Sequence, residues 1–325
     1  MRWRSTGSIG RWPLAEPVAL VALALDAAFG WPAWLYARIG HPVGGFARLI
    51  GWGERRSNDP AASFRQRRLR GILLLLILVA VAAGSALVLE RLAASLLGHY
   101  AWIAIALLAA PGLAQRSLYD HVAPVARLLA AGDLPGARAA VAMIVGRDTD
   151  ALDESGVARA ALESLAESFC DGVVAPLFWL LVAGLPGLWA YKAINTADSM
   201  IGHKEERWRA FGWASARADD LANLAPARLS GMLVCVAGRR GWRTMLRDAG
   251  NHASPNGGWP EAALAGVLGV ALAGPVAYDG VSHDKPWINR EGRAAMAADV
   301  KSGLRVYLAA CALLWLIAGG VLWLG

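Results

Sequence analysis

The chain has 325 residues, 56% of them hydrophobic and 18% charged, with a formal net charge of +7 and a mean hydropathy of +0.40. Soluble domains average about 45–50% apolar and about 25% charged residues, so the composition argues for a membrane protein. The arginines are dispersed between apolar runs, which argues against a nucleic-acid-binding module, and Cys170, Cys235 and Cys311 are too far apart to suggest a disulfide framework or a zinc site.

A spanning helix needs about 20 mostly apolar residues, and the chain offers several candidates. The N-terminal tail carries Arg2, Arg4 and Arg11. Residues 17–36 form the first apolar stretch, interrupted by Asp26, Gly30 and Pro32; it runs into Asp26 without a clean cleavage site and so does not read as a signal peptide. Residues 38–70 read as a loop holding eight arginines against Glu54 and Asp59, which the positive-inside rule places in the cytoplasm. Residues 71–89 (GILLLLILVAVAAGSALVL) carry no charge and are the clearest span. After a short apolar piece at 101–114, residues 115–171 read as soluble helices, with a helix start at Asp133-Leu134-Pro135-Gly136. Residues 172–190 are apolar but interrupted by Pro176 and Pro186. The pieces at 229–237 and 262–277 are short enough to be re-entrant, interfacial or buried. The last span, 306–324, follows Lys301 and Arg305, which put its N-terminal end in the cytoplasm. The expectation is an all-α, polytopic protein with roughly four to six membrane segments, folded as one membrane-embedded domain over 1–325. Its polar, motif-dense regions are 115–171, 191–228 and 252–261. No strand-type alternation, internal repeat or low-complexity segment stands out.

Four polar blocks could carry chemistry. Glu163, Glu167 and Asp171 recur at i, i+4 and i+8 and so share a stripe on a helix. Such a stripe is either a solvated face, with Arg159 pairing to Glu163, or a cation site that relieves three like charges. Tyr191, Lys192, Asn195, Thr196, Asp198 and Ser199 follow an apolar segment directly; polar groups near membrane depth are costly unless paired or functional, and the plain alternative is a helix cap at Thr196 or Asp198. In 217–228, Asp220 and Asn223 share a face and Arg217 can pair with Asp220. This is either a salt-bridged helix ending at Pro226 or a second carboxylate site with Arg228 reaching an anion. His252, Ser254, Asn256, Gly257, Gly258 and Glu261 form a loop by their neighbouring glycines and prolines. The phosphate loop GxxxxGK[ST], HExxH and GxSxG are all absent, which excludes the commonest nucleotide-hydrolase and hydrolase signatures.

Taken in order, these blocks resemble one family, the cobinamide-phosphate synthases of cobalamin biosynthesis (CobD/CbiB). The matching elements are Asp26 with Phe29-Gly30, HPVG at 41–44, SLYDHV at 117–122 and VGRDT at 145–149. LESLAESFCDGVVAPLFW at 162–179, YKAINTADSMIGHKEERW at 191–208, FGWASARADDLANLAPARL at 211–229 and HASPNGGWPEAALAGVLGV at 252–270 complete the set. Two positions depart from the pattern: Ser168 stands in place of an asparagine and Trp31 in place of an aspartate. The resemblance implies an ATP-dependent amide ligase that joins a propionate carboxylate of adenosylcobyric acid to aminopropanol or its O-phosphate, giving adenosylcobinamide or its phosphate. It implies ATP and Mg2+, the corrinoid and aminopropanol as substrates, a bilayer, and contacts with other cobalamin-pathway enzymes. The expected place is the inner membrane, with the site facing the cytoplasm. Within that scheme Asp198, Lys192 and Asp220 are the catalytic candidates, with Asp219 a further metal or base candidate. Asn195, Ser199, Arg147, Arg217, Asn223, Arg228, His252, Ser254 and Asn256 would hold substrate, and Lys204 could add a phosphate contact. Glu163, Glu167 and Asp171 would hold the metal. A membrane sensor and a corrinoid transporter are the competing readings. A sensor would have lost the Asp/Asn/Lys block, which is intact here, and a transporter would place ionisable groups in mid-span with repeat symmetry.

Overall fold

In the computed structural model, which describes residues 17–278 and 281–324, the chain is almost wholly helical. Arg2, Arg4 and Arg11 lie outside the described residues. The first apolar stretch does not form one straight span. α1 (Val18–Phe29) ends at Gly30, whose φ of 55° disfavours any side chain, and Pro32 leads into α2 (Ala33–Ile39). With α3 (Val43–Ser57) the pair is bent by 102°. The arginine-rich segment 38–70 is therefore largely helical rather than a loop. α4 (Phe64–Leu97) starts inside it, because Ser63 and Gln66 form a reciprocal capping box. The charge density spoke for exposure, and an exposed helix satisfies it as well as a loop does.

α4 is 34 residues long, roughly 50 Å at 1.5 Å per residue, which exceeds a hydrocarbon core of about 30 Å. Leu74, Leu75, Leu78, Ala82 and Ala86 are buried against the protein, whereas Leu69, Leu73, Leu76, Val81, Val88 and Leu92 are exposed. The uncharged run 71–89 of this helix, with its exposed leucines and valines, matches lipid, not water. α5 (Ala101–Ala109), α6 (Gln115–Ala130) and α7 (Leu134–Ala142) follow. α7 starts where the sequence indicates, with Asp133 accepting the Gly136 N–H at 2.9 Å. α8 (Glu154–Phe169) is capped the same way by Asp153 on the Gly156 N–H at 2.7 Å.

α8 passes through one π-helical turn (Cys170–Val174) into α9 (Ala175–Ile201), which carries the apolar run on into the Tyr191–Ser199 block. Of the two prolines, Pro176 falls in the first turn of α9 and is tolerated. Pro186 is not: Ala183 and Gly184 leave helical geometry, with Gly184 at φ 64°. The break frees the Leu185 N–H, which donates to Glu90 Oε1 of α4 at 3.0 Å. A carboxylate on one helix thus caps the second half of another, as backbone groups at membrane depth require.

α10 (Glu206–Arg209) leads to α11 (Trp213–Ala222) and α12 (Leu224–Gly238), which meet at 48°. Pro226 lies in the first turn of α12, where a missing N–H costs nothing, so it opens a helix rather than ending one. After α13 (Trp242–Asp248), α14 (Gly258–Leu268) accounts for only part of the apolar piece 262–277. Two small antiparallel pairs follow: β1 (Leu272–Ala273) with β4 (Trp287–Ile288), and β2 (Val276–Tyr278) with β3 (Val281–His283). α15 (Ala297–Leu324) takes Lys301 and Arg305 into its own first turns. Among the described residues three helical stretches are long and apolar enough to cross a membrane, or five if each bent pair is one span.

The main core is shared by α1, α6, α8, α9, α14 and α15 and includes Leu23, Val122, Leu162, Leu165, Phe169, Leu188 and Leu314. A polar knot pins three of these helices. Gln115 donates its backbone N–H to Asp26 Oδ2 at 2.6 Å and its amide to Asp26 Oδ2 and to the Leu23 carbonyl, both at 3.2 Å. Tyr307 and Trp315 of α15 donate to the Gln115 carbonyl at 2.8 Å and to its Oε1 at 3.0 Å.

Candidate functional site

The π turn, α9 and α11 build a closed ring of hydrogen bonds. Asn195 Nδ2 lies 3.2 Å from Asp171 Oδ2 and 3.2 Å from Asp219 Oδ1. Asn223 donates to Asp219 Oδ2 at 3.0 Å and accepts from the Tyr191 hydroxyl at 3.1 Å, and that hydroxyl also lies 3.3 Å from the Asp171 carbonyl. One amide is therefore shared between two buried carboxylates. Lys192 stands on the same helix and makes no ion pair among the described residues.

The ring opens onto a cleft of about 420 Å³ lined by Ser117, His121, Glu167, Asp171, Lys192, Asn195 and Ser199. A second cavity of about 360 Å³, reaching Asp26, His41 and Asp120, shares Ser117, His121 and Lys192 with it. Lys192 thus stands at the wall common to both. Ser117 and His121 carried no role in the sequence reading, although their i, i+4 spacing within SLYDHV puts both on one face of α6.

The carboxylate stripe meets three different sets of neighbours. Asp171 belongs to the ring. Glu167 Oε1 lies 3.7 Å from His252 Nε2, and Glu261 Oε1 lies 3.5 Å from the same nitrogen. Glu163 is buried against Arg147 at 2.8 Å and Arg159 at 3.9 Å, and accepts the Ala273 N–H at 2.7 Å. The Nε donors of Arg147 and Arg159 are buried with no acceptor among the described residues. The alignment of the three acids along one helix is real, but each is met by a separate element folding in from later sequence. Burial holds the Glu261 carboxyl well above the ordinary carboxylate range, and the charges of Glu167 and Glu163 push it further. The sequence places Glu261 at the end of the HASPNGGWPE block but carries no sign that it is buried.

The remaining candidates are dispersed. Asp198 turns its carboxylate against Gly202, where a Cβ would lie 1.8 Å from Oδ1. Ser199 donates to the Asn195 carbonyl at 2.9 Å and lines the cleft. Arg217 is exposed and pairs with Asp220 at 3.0 Å, as the i, i+3 spacing indicated. Asn256 donates to the Asp220 carbonyl at 2.8 Å and accepts from Arg228 at 3.3 Å, while the Ser254 hydroxyl accepts from the Asn256 N–H at 3.2 Å. These groups hold the 252–257 loop onto α11 and α12, so their polar atoms are already engaged.

An all-helical membrane protein with a buried carboxylate–amide ring and an adjoining lysine-walled cleft is the class that fold and site define. A sequence profile described as CobD/Cbib protein matches residues 19–307. The chain is similar to the cobalamin biosynthesis protein CobD of Rhodobacter capsulatus, with 52% identity over 94% of this chain and 97% of the relative. It is similar also to the protein of that name from a Sinorhizobium species, with 50% identity over 92% of this chain and 96% of the relative, and to that of Brucella suis, with 47% identity over 89% and 91%. The chain belongs to the CobD/CbiB family, which gives it a role in cobalamin biosynthesis. No solved structure gives a significant match.

Proposed function

We propose that this protein is an ATP-dependent amide ligase that joins a propionate carboxylate of adenosylcobyric acid to aminopropanol or its O-phosphate. The observation that carries the reading is the Asp171–Asn195–Asp219 arrangement beside Lys192 on the wall of the cleft. A carboxylate is a poor acyl donor, so amide formation needs phosphoryl activation, and the site must manage phosphate charge.

The residues fit Mg2+. Asp171 and Asp219 are hard oxygen donors, their bridging contact is a single shared amide, and each keeps lone pairs for an ion. When bound there, the ion would offset phosphate charge. Lys192 supplies a cation to the cleft, and Arg147, paired with Glu163, keeps a buried Nε donor with no hydrogen-bond acceptor among the described residues. Asn195 and Ser199 orient neighbouring groups by hydrogen bonds to fixed helix positions. The arginines of 38–70 support a cytoplasmic orientation in the inner membrane, where ATP is available.

The test is direct. Detergent-purified protein given cobyric acid, aminopropanol or its phosphate, ATP and Mg2+ should form a product heavier by the condensed amine. The absence of that mass with either amine, from protein that still binds a corrinoid, would overturn the ligase reading in favour of a transporter or sensor.

A further inference from the structure

His252 lies between two acids at distances that do not suit a finished ion pair. Its Nε2 is 3.5 Å from Glu261 Oε1 and 3.7 Å from Glu167 Oε1. Charge-assisted N–H···O contacts contract to about 2.7–2.9 Å, so the three side chains converge on a common point without closing on one another. One ligand atom from each residue lies within 4.8 Å of the other two. Ligands at about 2.0–2.2 Å from a shared ion stand roughly 3–4 Å apart.

The second observation is Glu261 itself. Its side chain is only 4% exposed, and its contact with His252 is long at 3.5 Å. A buried carboxylate held by so loose a contact is costly, and this one is aimed at His252. The third is the second nitrogen of the imidazole. Ser254 presents its N–H 3.0 Å and its carbonyl 3.4 Å from His252 Nδ1. The N–H donates to Nδ1, and the contact fixes the ring with Nε2 turned toward the two carboxylates, as outer-shell contacts orient metal-binding histidines. Gly257 makes the approach possible. A Cβ there would lie 2.6 Å from His252 Cε1 and 3.0 Å from Glu167 Oε1.

We infer that Glu167, His252 and Glu261 form a binding site for a first-row divalent transition cation, separate from the Asp171–Asn195–Asp219 ring. One imidazole and two carboxylates favour manganese, iron, cobalt or zinc over magnesium, because a nitrogen donor raises affinity along the Irving–Williams order. Glu167 has a half-exposed side chain and lines the cleft, so the site is open on that side and keeps room for water or a substrate oxygen. The inference stands apart from the ligase reading.

The experiment uses chelator-stripped full-length protein in detergent, titrated with Mn2+ and read by pulsed electron paramagnetic resonance. Bound Mn2+ should show the nitrogen coupling of a directly ligated imidazole, a signal that an all-oxygen site cannot give. The coupling should vanish in His252→Ala. Affinity should fall in Glu261→Gln, and in the better-exposed Glu167→Gln, by at least the roughly 10–100-fold that losing an outer-shell partner costs. Asp219→Asn should leave the signal in place, and Zn2+ should displace Mn2+ at lower concentration than Mg2+ does. Elution of each variant at the wild-type volume checks folding. No nitrogen coupling in the wild type, coupling that persists in His252→Ala, loss in Asp219→Asn, or displacement by Mg2+ as easily as by Zn2+ would each overturn the inference. Product formation fails or succeeds independently of this signal, so the two readings are separable.

Discussion

Two buried polar networks cross this helical bundle, and they are finished to different degrees. Around Gln115, the amide, carbonyl and backbone N–H are all engaged with Asp26, Leu23, Tyr307 and Trp315. Around Asn195, one amide serves two carboxylates, and a cleft takes the place of the missing partners. A network with every group satisfied fixes helix positions and has nothing left to offer a ligand. One that leaves carboxylate lone pairs facing a cavity is unstable by itself and becomes complete with a ligand.

The largest expected effect falls on the unfinished network. Asp219→Asn keeps the size and most of the hydrogen bonding but removes the charge. Turnover should drop on the order of 10²–10³-fold, the usual cost of one electrostatic contact to a reacting group, with insertion and elution unchanged. Steady-state assay of product mass checks it, and unchanged turnover would erase the distinction between the two networks.

The finished network should answer in stability instead. Gln115→Leu keeps the backbone N–H to Asp26 but removes the amide and strands the Trp315 N–H, at about 1–3 kcal/mol for the stranded group. A lowered melting temperature in detergent, with kcat per folded molecule retained, is the expected result. Equal loss of kcat would mean the knot reaches the chemistry.

Smaller still is the cap at the α9 break. Glu90→Ala removes the acceptor of the Leu185 N–H and should cost about 0.5–2 kcal/mol, the range for helix caps. Thermal melts against wild type measure it, and Glu90→Gln, which keeps an acceptor, should recover part of the loss.

The smallest effect is a pH dependence outside the membrane. Arg247 hydrogen-bonds Asp248 and holds its carboxyl below the usual range, helped by the Asn289 N–H at 2.8 Å. A depressed carboxylate stabilises the fold above its unfolded pKa of about 3.9 and loses that contribution as pH falls through the lower folded value. The gap in melting temperature between wild type and Asp248→Asn should therefore be constant above about pH 4 and close below it. Exposure of Arg247 keeps the gap small.

Much of this was legible in the chain. The uncharged run 71–89, the Asp133 helix start and the Arg217–Asp220 pair follow from local rules of hydropathy, capping and spacing. The blocks holding Asp171, Lys192, Asn195 and Asn223 were also recognisable by their density of polar groups beside apolar sequence. Partnership was not legible. Nothing in the spacing of Glu163, Glu167 and Asp171 says that Arg147, His252 and Asn195 would each claim one, because those contacts span 16 to 85 positions and depend on how helices pack. The effect of each proline was hidden for a similar reason: Pro176 and Pro226 sit in first turns, where no N–H is needed, and Pro186 sits where one is.

The break in α9 also bears on how the protein is made. The Leu185 N–H finds its acceptor 95 positions upstream, on a helix synthesised long before. The second half of α9 cannot satisfy its first backbone donor by itself, so it cannot settle in lipid as a self-sufficient segment. The expected consequence is an order of assembly, with α4 in place before α9 packs against it and receives its cap.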